Sequence, residues 1–413
     1  MDKNLDVLFL GGLFPKEKEN DILNYSRGSI QNAANNLQWG IALGLDANLN
    51  KPIKILNSLY IGSFPKRYKK LCIDTYPFSH TQGANEDINV GFLNLTGIKN
   101  FSRFLTLKPY VKKWAEKETD KKKVIIAYAM TPTFTYLLNY AKKINNNIIT
   151  CLIVPDLPQY MNLSSKRNKL YDSLKKLEIK QISKDMNYID SYVLLTKYMR
   201  DALNLNISKP TVVIEGIATD VFKHVESISK EKGIKTVLYS GGLAKKYGII
   251  ELLNAFGRLS NENYRLIICG SGEAEYDVIE AGKKDSRIIF KGLLPREEVL
   301  KLQKSSTILV NPRPNNEEYT KYSFPSKIME YLSSGVPMVG YKLDGMPSEY
   351  SDYFFPIKVD DDGFYKTLNE VLSKSKDELD KKGFRAKEFV LTYKNQREQA
   401  AKIIQMLNGV EKV

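Results

Sequence analysis

Short apolar runs, set off by polar and glycine-bearing turns, alternate along this chain with longer stretches whose apolar positions recur every three or four residues. Runs without in–out alternation read as strands buried on both faces, the mark of parallel sheets covered by helices. The pattern predicts strands at 6–10, 54–58, 123–128, 148–154 and 191–195 in the first half of the chain. In the second half it predicts strands at 211–215, 236–240, 264–269, 288–291, 307–311 and 336–340. A helix broken near Gly28 is expected over 24–45, and one or two helices over 377–409. Many of the strands end in Gly, Pro, Asn or Asp, where a parallel sheet turns into its helix. Ligands of such folds sit beyond the carboxyl ends of the strands, so the residues just after each strand are the first candidates for function.

A length of 413 residues suits two doubly wound domains of roughly 200 residues each, facing a cleft. The break falls between the strand at 211–215 and the fresh strand–turn–helix that opens at Thr236, across Gly216-Ile217-Ala218-Thr219-Asp220 and the charged Lys230-Glu231-Lys232. This gives an N-terminal domain at 1–215, a second at 216–395, and a terminal helix at 396–413 expected to pack back toward the first. Cys72, Cys151 and Cys269 are scattered, which argues against a disulfide framework or a structural zinc. With only His80 and His224, a histidine-rich metal site or a Ser-His-Asp triad lacks material. The apolar run at 7–10 is too short for a signal-peptide core. The stretch at 124–141 is interrupted by Thr131, Pro132, Thr133, Thr135 and Asn139, so no spanning helix is expected and the protein reads as cytoplasmic.

Charge changes the picture in one respect. The net +15 is uneven: residues 1–200 hold 30 Lys and Arg against 17 Asp and Glu, whereas residues 201–413 hold 32 against 30. A positive first half suits a phosphorylated acceptor, an anionic membrane surface or nucleic acid, or simply reflects lysine used for solubility. No aromatic–basic motif supports nucleic acid, and none is expected as a partner.

Four segments of the second half carry candidate chemistry. Ser323-Phe324-Pro325-Ser326-Lys327-Ile328-Met329-Glu330 reads as a capped helix entry, with Ser323 as the cap and Pro325 in the first turn. Its free N–H groups and dipole favour phosphate; Lys327 adds positive charge and Glu330, three residues on, is an acceptor suited to ribose hydroxyls. Tyr239-Ser240-Gly241-Gly242-Leu243-Ala244-Lys245-Lys246 runs from a strand into a glycine turn that lets a ligand approach the backbone, with lysines to neutralise a diphosphate. Cys269-Gly270-Ser271-Gly272 repeats that theme, and Gly292-Leu293-Leu294-Pro295 opens another helix. By their order and spacing these segments resemble the donor domain of GT-B glycosyltransferases, specifically the large retaining family numbered four. The resemblance covers 211–357.

That resemblance implies an α/β GT-B fold of two Rossmann-like domains. It also implies transfer of a hexose-type sugar, with retention, from a nucleoside diphosphate sugar (UDP favoured) to a hydroxyl of a glycan or lipid-linked acceptor, as in polysaccharide assembly. No cofactor or metal is implied. Gly241, Gly242, Gly270, Leu293, Arg313, Ser323, Phe324 and Lys327 become candidate donor contacts, and Lys246 and Glu330 candidate catalytic residues. The sequence departs from the family where an Arg usually follows the first Gly and a Lys precedes the later one. Gly242 and Tyr247 stand there, so Lys246 is the expected replacement. Of the family's paired glutamates only the second is matched, by Glu330.

In the first domain, Gly11-Gly12 resembles the glycine turn that brings backbone near the diphosphate, and makes Gly12 a candidate contact. Asp156, just after the strand at 148–154, stands where the family has a His/Asp-containing turn; the resemblance makes it the candidate catalytic carboxylate that orients an acceptor hydroxyl or takes its proton. The resemblance to retaining members also implies the leaving diphosphate as a second proton acceptor, which Lys246, Lys327 and the amides of Ser323 and Phe324 are expected to stabilise. The stretch 164–188, with Lys166, Arg167, Lys169, Lys175, Lys176, Lys180 and Lys184 among leucines, is either a basic helix for peripheral contact with a membrane or a solvated helix facing the core. Asp360-Asp361-Asp362 reads as a loop entering a helix rather than a metal motif. A nucleotide-sugar epimerase and a non-catalytic nucleotide-sugar-binding partner are the alternatives.

Overall fold

The computed structural model describes residues 4–28, 30–157, 169–226 and 231–410. By its contacts the chain divides into two units, Met1–Ile217 with Gln396–Val413, and Ala218–Asn395.

The first unit holds β1 (Leu5–Gly11), β2 (Lys54–Asn57), β3 (Cys72–Ile73), β4 (Tyr76–Phe78), β5 (Asp87–Asn89), β6 (Phe92–Leu93), β7 (Lys122–Tyr128), β8 (Ile149–Val154), β9 (Ser191–Leu194) and β10 (Thr211–Val213). Its main sheet runs β10-β9-β8-β7-β1-β2-β5-β4, parallel throughout except for β4 against β5, while β3 and β6 form a separate antiparallel pair. The central strands are buried along nearly their whole length, which is why they read as unbroken apolar runs. Helix Asn32–Asp46 lies on one face, and the C-terminal helix Gln396–Asn408 packs beside it through Ala400, Ile403, Ile404 and Leu407. Gly44 makes that crossing close: a Cβ there would stand 2.1 Å from the Gln396 carbonyl oxygen.

The second unit holds β11 (Lys235–Ser240), β12 (Tyr264–Cys269), β13 (Ile288–Gly292), β14 (Ile308–Asn311), β15 (Met338–Gly340) and β16 (Phe355–Pro356). They form one parallel sheet in the order β13-β12-β11-β14-β15-β16. Helices Ile249–Gly257 and Gly363–Ser373 close one face around Leu252, Phe256 and Leu368, and helices Ser326–Ser333 and Lys376–Tyr393 the other around Tyr331, Leu332 and Phe389. The last of these opens with a reciprocal cap between Ser375 and Glu378.

In both sheets the strand order reverses beside the first strand, between β1 and β7 and between β11 and β14. The loops leaving those carboxyl ends diverge and open a crevice, so the fold directs attention there. All eleven expected strands are present within a few residues. The short β3 to β6 and β16 are additions, too short for a pattern to register. The early helical stretch is two helices, Glu19–Tyr25 and Asn32–Asp46, separated at Gly28, whose φ of 83° only glycine adopts without strain. The expected basic helix is observed as Lys169–Asp185, its 164–168 portion lying outside the described residues; Ile182 faces the core and Leu177 solvent. Among the described residues no helix is long and apolar enough to cross a membrane.

Candidate functional site

In the second unit two glycine turns nest at the carboxyl edge of the sheet. After β11 the chain turns at Gly241 with φ 146°, and after β12 at Gly270 with φ 138° and Gly272 with φ 153°. A Cβ on Gly270 would stand 1.8 Å from the Gly241 carbonyl oxygen, and one on Gly272 2.8 Å from the Leu243 backbone. These glycines are fixed by both backbone angle and space. Gly242 is not: its hypothetical Cβ would touch only Tyr247, at 3.7 Å. Leu293, at the turn after the neighbouring β13, is 80% exposed.

Lys327 lies against the first of these turns. A Cβ on Gly241 would fall 2.0 Å from its Nζ, so the ammonium occupies the space that the glycine leaves open. Nζ donates to the Tyr239 hydroxyl at 2.9 Å and sits 4.1 Å from the centre of that ring. Burial lowers its pKa to about 7; Glu330 raises it and Arg313 lowers it further. An arriving anion would favour the charged form. The cation at the glycine turn is therefore Lys327, delivered by a helix far along the chain, rather than Lys246.

Lys246 is exposed, 5.4 Å from the ring centre of Tyr319, and makes no ion pair among the described residues. Arg313, just beyond β14, lies 4.7 Å from the same ring and donates through Nη2 to Ser323 Oγ at 2.9 Å. Its Nε is buried without a partner. Three cations thus gather on Tyr239 and Tyr319 at one sheet edge.

The helix is entered differently from expectation. It begins at Ser326 with Pro325 at the cap position and no side-chain cap. Ser323 is not the cap, because its hydroxyl is committed to Arg313 and to the Tyr319 carbonyl. Phe324 points into the core against Tyr350, with ring centres 5.4 Å apart, so its side chain is structural. Glu330 is half-buried: Oε1 accepts from Gln303 Nε2 at 2.7 Å and Oε2 faces Arg296 Nη2 at 3.0 Å. Gln303 also donates to Ser240 Oγ at 2.9 Å, and Tyr331 accepts from the Ser240 amide at 3.0 Å. This buried network pins Glu330 to the end of β11. Gln303 and Arg296 escaped the motif reading, since neither lies in a signature turn, and Tyr239 and Tyr331 were given no role in theirs. The one signal was polar residues at core-facing positions of amphipathic helices.

In the first unit Gly12 is required by packing, with a Cβ there 2.7 Å from Tyr60 Cβ. Its amide donates to the buried Gln38 Oε1 at 2.7 Å. Asp156 follows β8, open to solvent yet densely surrounded by protein, and the desolvation raises its pKa to about 6. Its charge acts on the phenols of Tyr60 and Tyr128, each raised chiefly by burial. Next to Tyr128, at the end of β7, Ala129 holds a φ of 105°, a backbone state rare for any residue with a side chain. A hollow of about 820 Å³ lined by Glu116–Lys123, Asn145 and Asn147 lies at the opposite end of this sheet, away from these residues. Among the described residues no group of three metal-type side chains converges; Asp362 precedes helix Gly363–Ser373 and pairs with Arg258.

A nested glycine edge with clustered cations on a doubly wound sheet agrees with what residues 220–388 match, the family of glycosyl transferases group 1. Solved structures extend the likeness to the whole chain. The fold is GT-B. The Anabaena protein HepE in complex with UDP superposes with a TM-score of 0.62 at 12% identity, covering 98% of this chain and 99% of that one. The lipopolysaccharide outer core galactosyltransferase WaaB in its apo form gives 0.60 at 12%, covering 98% and 99%. The catalytic domain of starch synthase IV from Arabidopsis thaliana, bound to ADP and acarbose, gives 0.61 at 11%, covering 98% and 99%. No curated protein matches by sequence. At these identities the likeness is one of GT-B architecture.

Proposed function

We propose that the protein is a glycosyltransferase that moves a hexose-type sugar from a nucleoside diphosphate sugar to a hydroxyl of a glycan or lipid-linked acceptor. The observation that carries this reading is the convergence of Lys327, Lys246 and Arg313 on the Gly241–Gly270 edge, with Glu330 pinned beside them. A diphosphate is the ligand for which three cations beside an open backbone are suited. Glu330 would hold the ribose, exchanging part of its contact with Arg296 for the sugar hydroxyls. UDP and ADP are held by two of the similar GT-B structures, which supports a nucleotide donor; UDP is the favoured base.

In the proposed reaction the bond between the anomeric carbon and the donor diphosphate breaks as the acceptor oxygen attacks, with retention. Negative charge builds on the leaving diphosphate, and fixed cations stabilise it without reorganising. Lys327 fits this role, because the growing charge holds its proton in place. Asp156 would orient the acceptor hydroxyl or take its proton, helped by a pKa near neutrality. The positive charge of the first 200 residues supports contact with an anionic acceptor or membrane face, and a lipid-linked acceptor would place the protein peripherally on that face.

A thermal-shift screen of nucleoside diphosphate sugars tests the reading. Saturation at about 100 times Kd adds roughly 2.7 kcal/mol of stability. One donor class should stabilise the protein, and the Glu330→Ala variant should lose most of that gain. No shift with any donor would refute the assignment.

A further inference from the structure

The first unit contains a second concentration of positive charge that the proposed reaction does not use. Helix Lys99–Glu116 begins with Lys99, and one turn later carries Arg103, which is 6% exposed. Arg103 donates from Nε to Ser58 Oγ at 2.9 Å, and from Nη2 to the Leu59 carbonyl at 2.8 Å and to the Ser58 carbonyl. Lys99 donates to the Ile61 carbonyl. Among the described residues neither cation pairs with a carboxylate, and Arg103 Nη1 makes no hydrogen bond.

This arrangement is unusual on two grounds. Cations at the start of a helix oppose its dipole, which favours anions there, and the first turn holds no acidic residue to offset them. Buried charges are normally paired with an opposite charge, whereas Arg103 meets carbonyls, a hydroxyl and the Phe92 ring 4.9 Å away, and half-buried Lys99 meets a carbonyl. Holding the loop carbonyls needs donors, not two positive charges; a neutral amide would serve. The charge points to a ligand that brings the missing anion.

The surroundings indicate where that ligand belongs. The loop Ser58–Ile61 follows the carboxyl end of β2, on the ligand side of the sheet. Thr133, at the start of helix Pro132–Ile144, donates to the Asn100 carbonyl at 3.0 Å and ties the Lys99 end to the turn after β7. Tyr60, in that loop, is within electrostatic reach of both groups of charge: burial raises the pKa of its phenol, Arg103 lowers it and Asp156 raises it.

We propose that Lys99 and Arg103 form an anion subsite of the first unit that takes a phosphate group of the acceptor. This rests on the transferase reading for the word acceptor, but the anion site stands on its own geometry. Desolvation, with Arg103 adding to it, lowers Lys99 to about pKa 7, so a bound dianion would draw its proton back and strengthen the contact. The unpaired N–H groups of Lys99 and Nη1 of Arg103 are the donors available to it. An acceptor so held presents a hydroxyl near its own phosphate, as on a sugar phosphate or a phosphate-bearing lipid.

Two probes separate those sources: inorganic phosphate, followed by calorimetric titration, and phosphatidylcholine vesicles with and without phosphatidic acid, followed by flotation. Both are run on the full chain with UDP present, using wild type, Lys99→Gln, Lys99→Arg and Lys327→Ala. Loss of one charge-assisted contact should weaken phosphate about tenfold in Lys99→Gln. Lys99→Arg should restore it, and Lys327→Ala should leave this binding intact. Circular dichroism of Lys99→Gln must match wild type; since Lys99 is only half-buried, its loss should not unfold the helix. Binding of phosphate alone identifies a soluble anion, and binding only of phosphatidate vesicles a lipid headgroup; either supports the subsite. No binding of either probe, or binding that Lys99→Gln does not change, overturns it. UDP that fails to bind while the phosphate response persists would refute the donor reading and leave this site standing.

Discussion

The two sheets of this protein share a strand order near their first strands, yet they present their candidate chemistry in opposite ways. In the second unit the chemistry is concentrated in tight turns, where Gly241, Gly270 and Gly272 hold backbone angles that favour glycine and the last two also lack room for a Cβ against neighbouring backbone. In the first unit Asp156, Tyr60, Lys99 and Arg103 come from separate loops and a helix, with no signature linking them. A site for a common nucleotide can be built from backbone, and backbone geometry demands particular residues at particular places. A site for a particular acceptor is built from side chains, which can be supplied from many positions.

The strongest way to break that comparison is at the glycines. Gly270→Ala forces a Cβ toward the Gly241 oxygen at a φ unfavourable to alanine, and should destabilise the second unit by about 3 kcal/mol or more. Chemical denaturation reads this directly. Gly242→Ala, where the space is open, should cost little; equal losses would mean the turn is not a steric device.

Next in size is charge at the glycine edge of the second unit. Lys327→Ala should lower turnover about a hundredfold, in line with removal of one preorganised donor to a developing anion. Lys246→Ala should lower it less, because that lysine is exposed and screened by solvent. Steady-state kinetics on both variants would sharpen the assignment. The reverse ranking would return the main role to the lysine nearer the motif.

In the first unit Asp156→Asn should reduce kcat about tenfold or more if it handles the acceptor proton. Its pKa of about 6 lies above the ordinary aspartate value, so the carboxylate forms as pH rises through 6. Wild-type activity should climb over that range, and the climb should vanish in Asp156→Asn. The sign for stability is opposite to that of a salt-bridged carboxylate. The folded state binds this proton more tightly, so stability declines as pH rises from the unfolded value toward 6, and Asp156→Asn should not destabilise above it.

The smallest effect on activity is expected at His80, which is structural. Its ring is enclosed, with Nδ1 2.6 Å from Asp87 and Nε2 2.7 Å from Asp46, tying helix Asn32–Asp46 to β5. Burial opposes the charge, but hydrogen bonds to the two carboxylates outweigh it and raise the pKa to about 9. A raised histidine contributes stability that is complete below its unfolded value near 6.5 and lost as pH rises through about 9. Unfolding measured from pH 6 to 10 should show a decline of about 3 kcal/mol, and His80→Gln should remove that slope while leaving turnover nearly unchanged.

Much of the fold was legible because its determinants are local. Strands buried on both faces, such as β7 and β8, leave unbroken apolar runs, and the turns after them carry their own glycines. Gly241, Gly270, Lys327 and Glu330 could be singled out for the same reason. What pattern could not supply was partnership. It gave Lys246 the charge at the first turn, although Lys327 is the residue that reaches it from 86 positions further along the chain. It gave Ser323 a cap, although Arg313 and the Tyr319 carbonyl claim its hydroxyl. It marked the Gly12 turn, but not the Gln38 side chain that its amide meets. It passed over Lys99 and Arg103 altogether.

The sequence by itself determined the alternation of strand and helix and the glycine turns, because each depends on burial and backbone angles within a few neighbouring residues. Only the tertiary structure decided which donor meets which acceptor and which cation is left without an anion. Those are properties of groups brought within a few ångströms from distant parts of the chain, and spacing along the backbone carries no record of them.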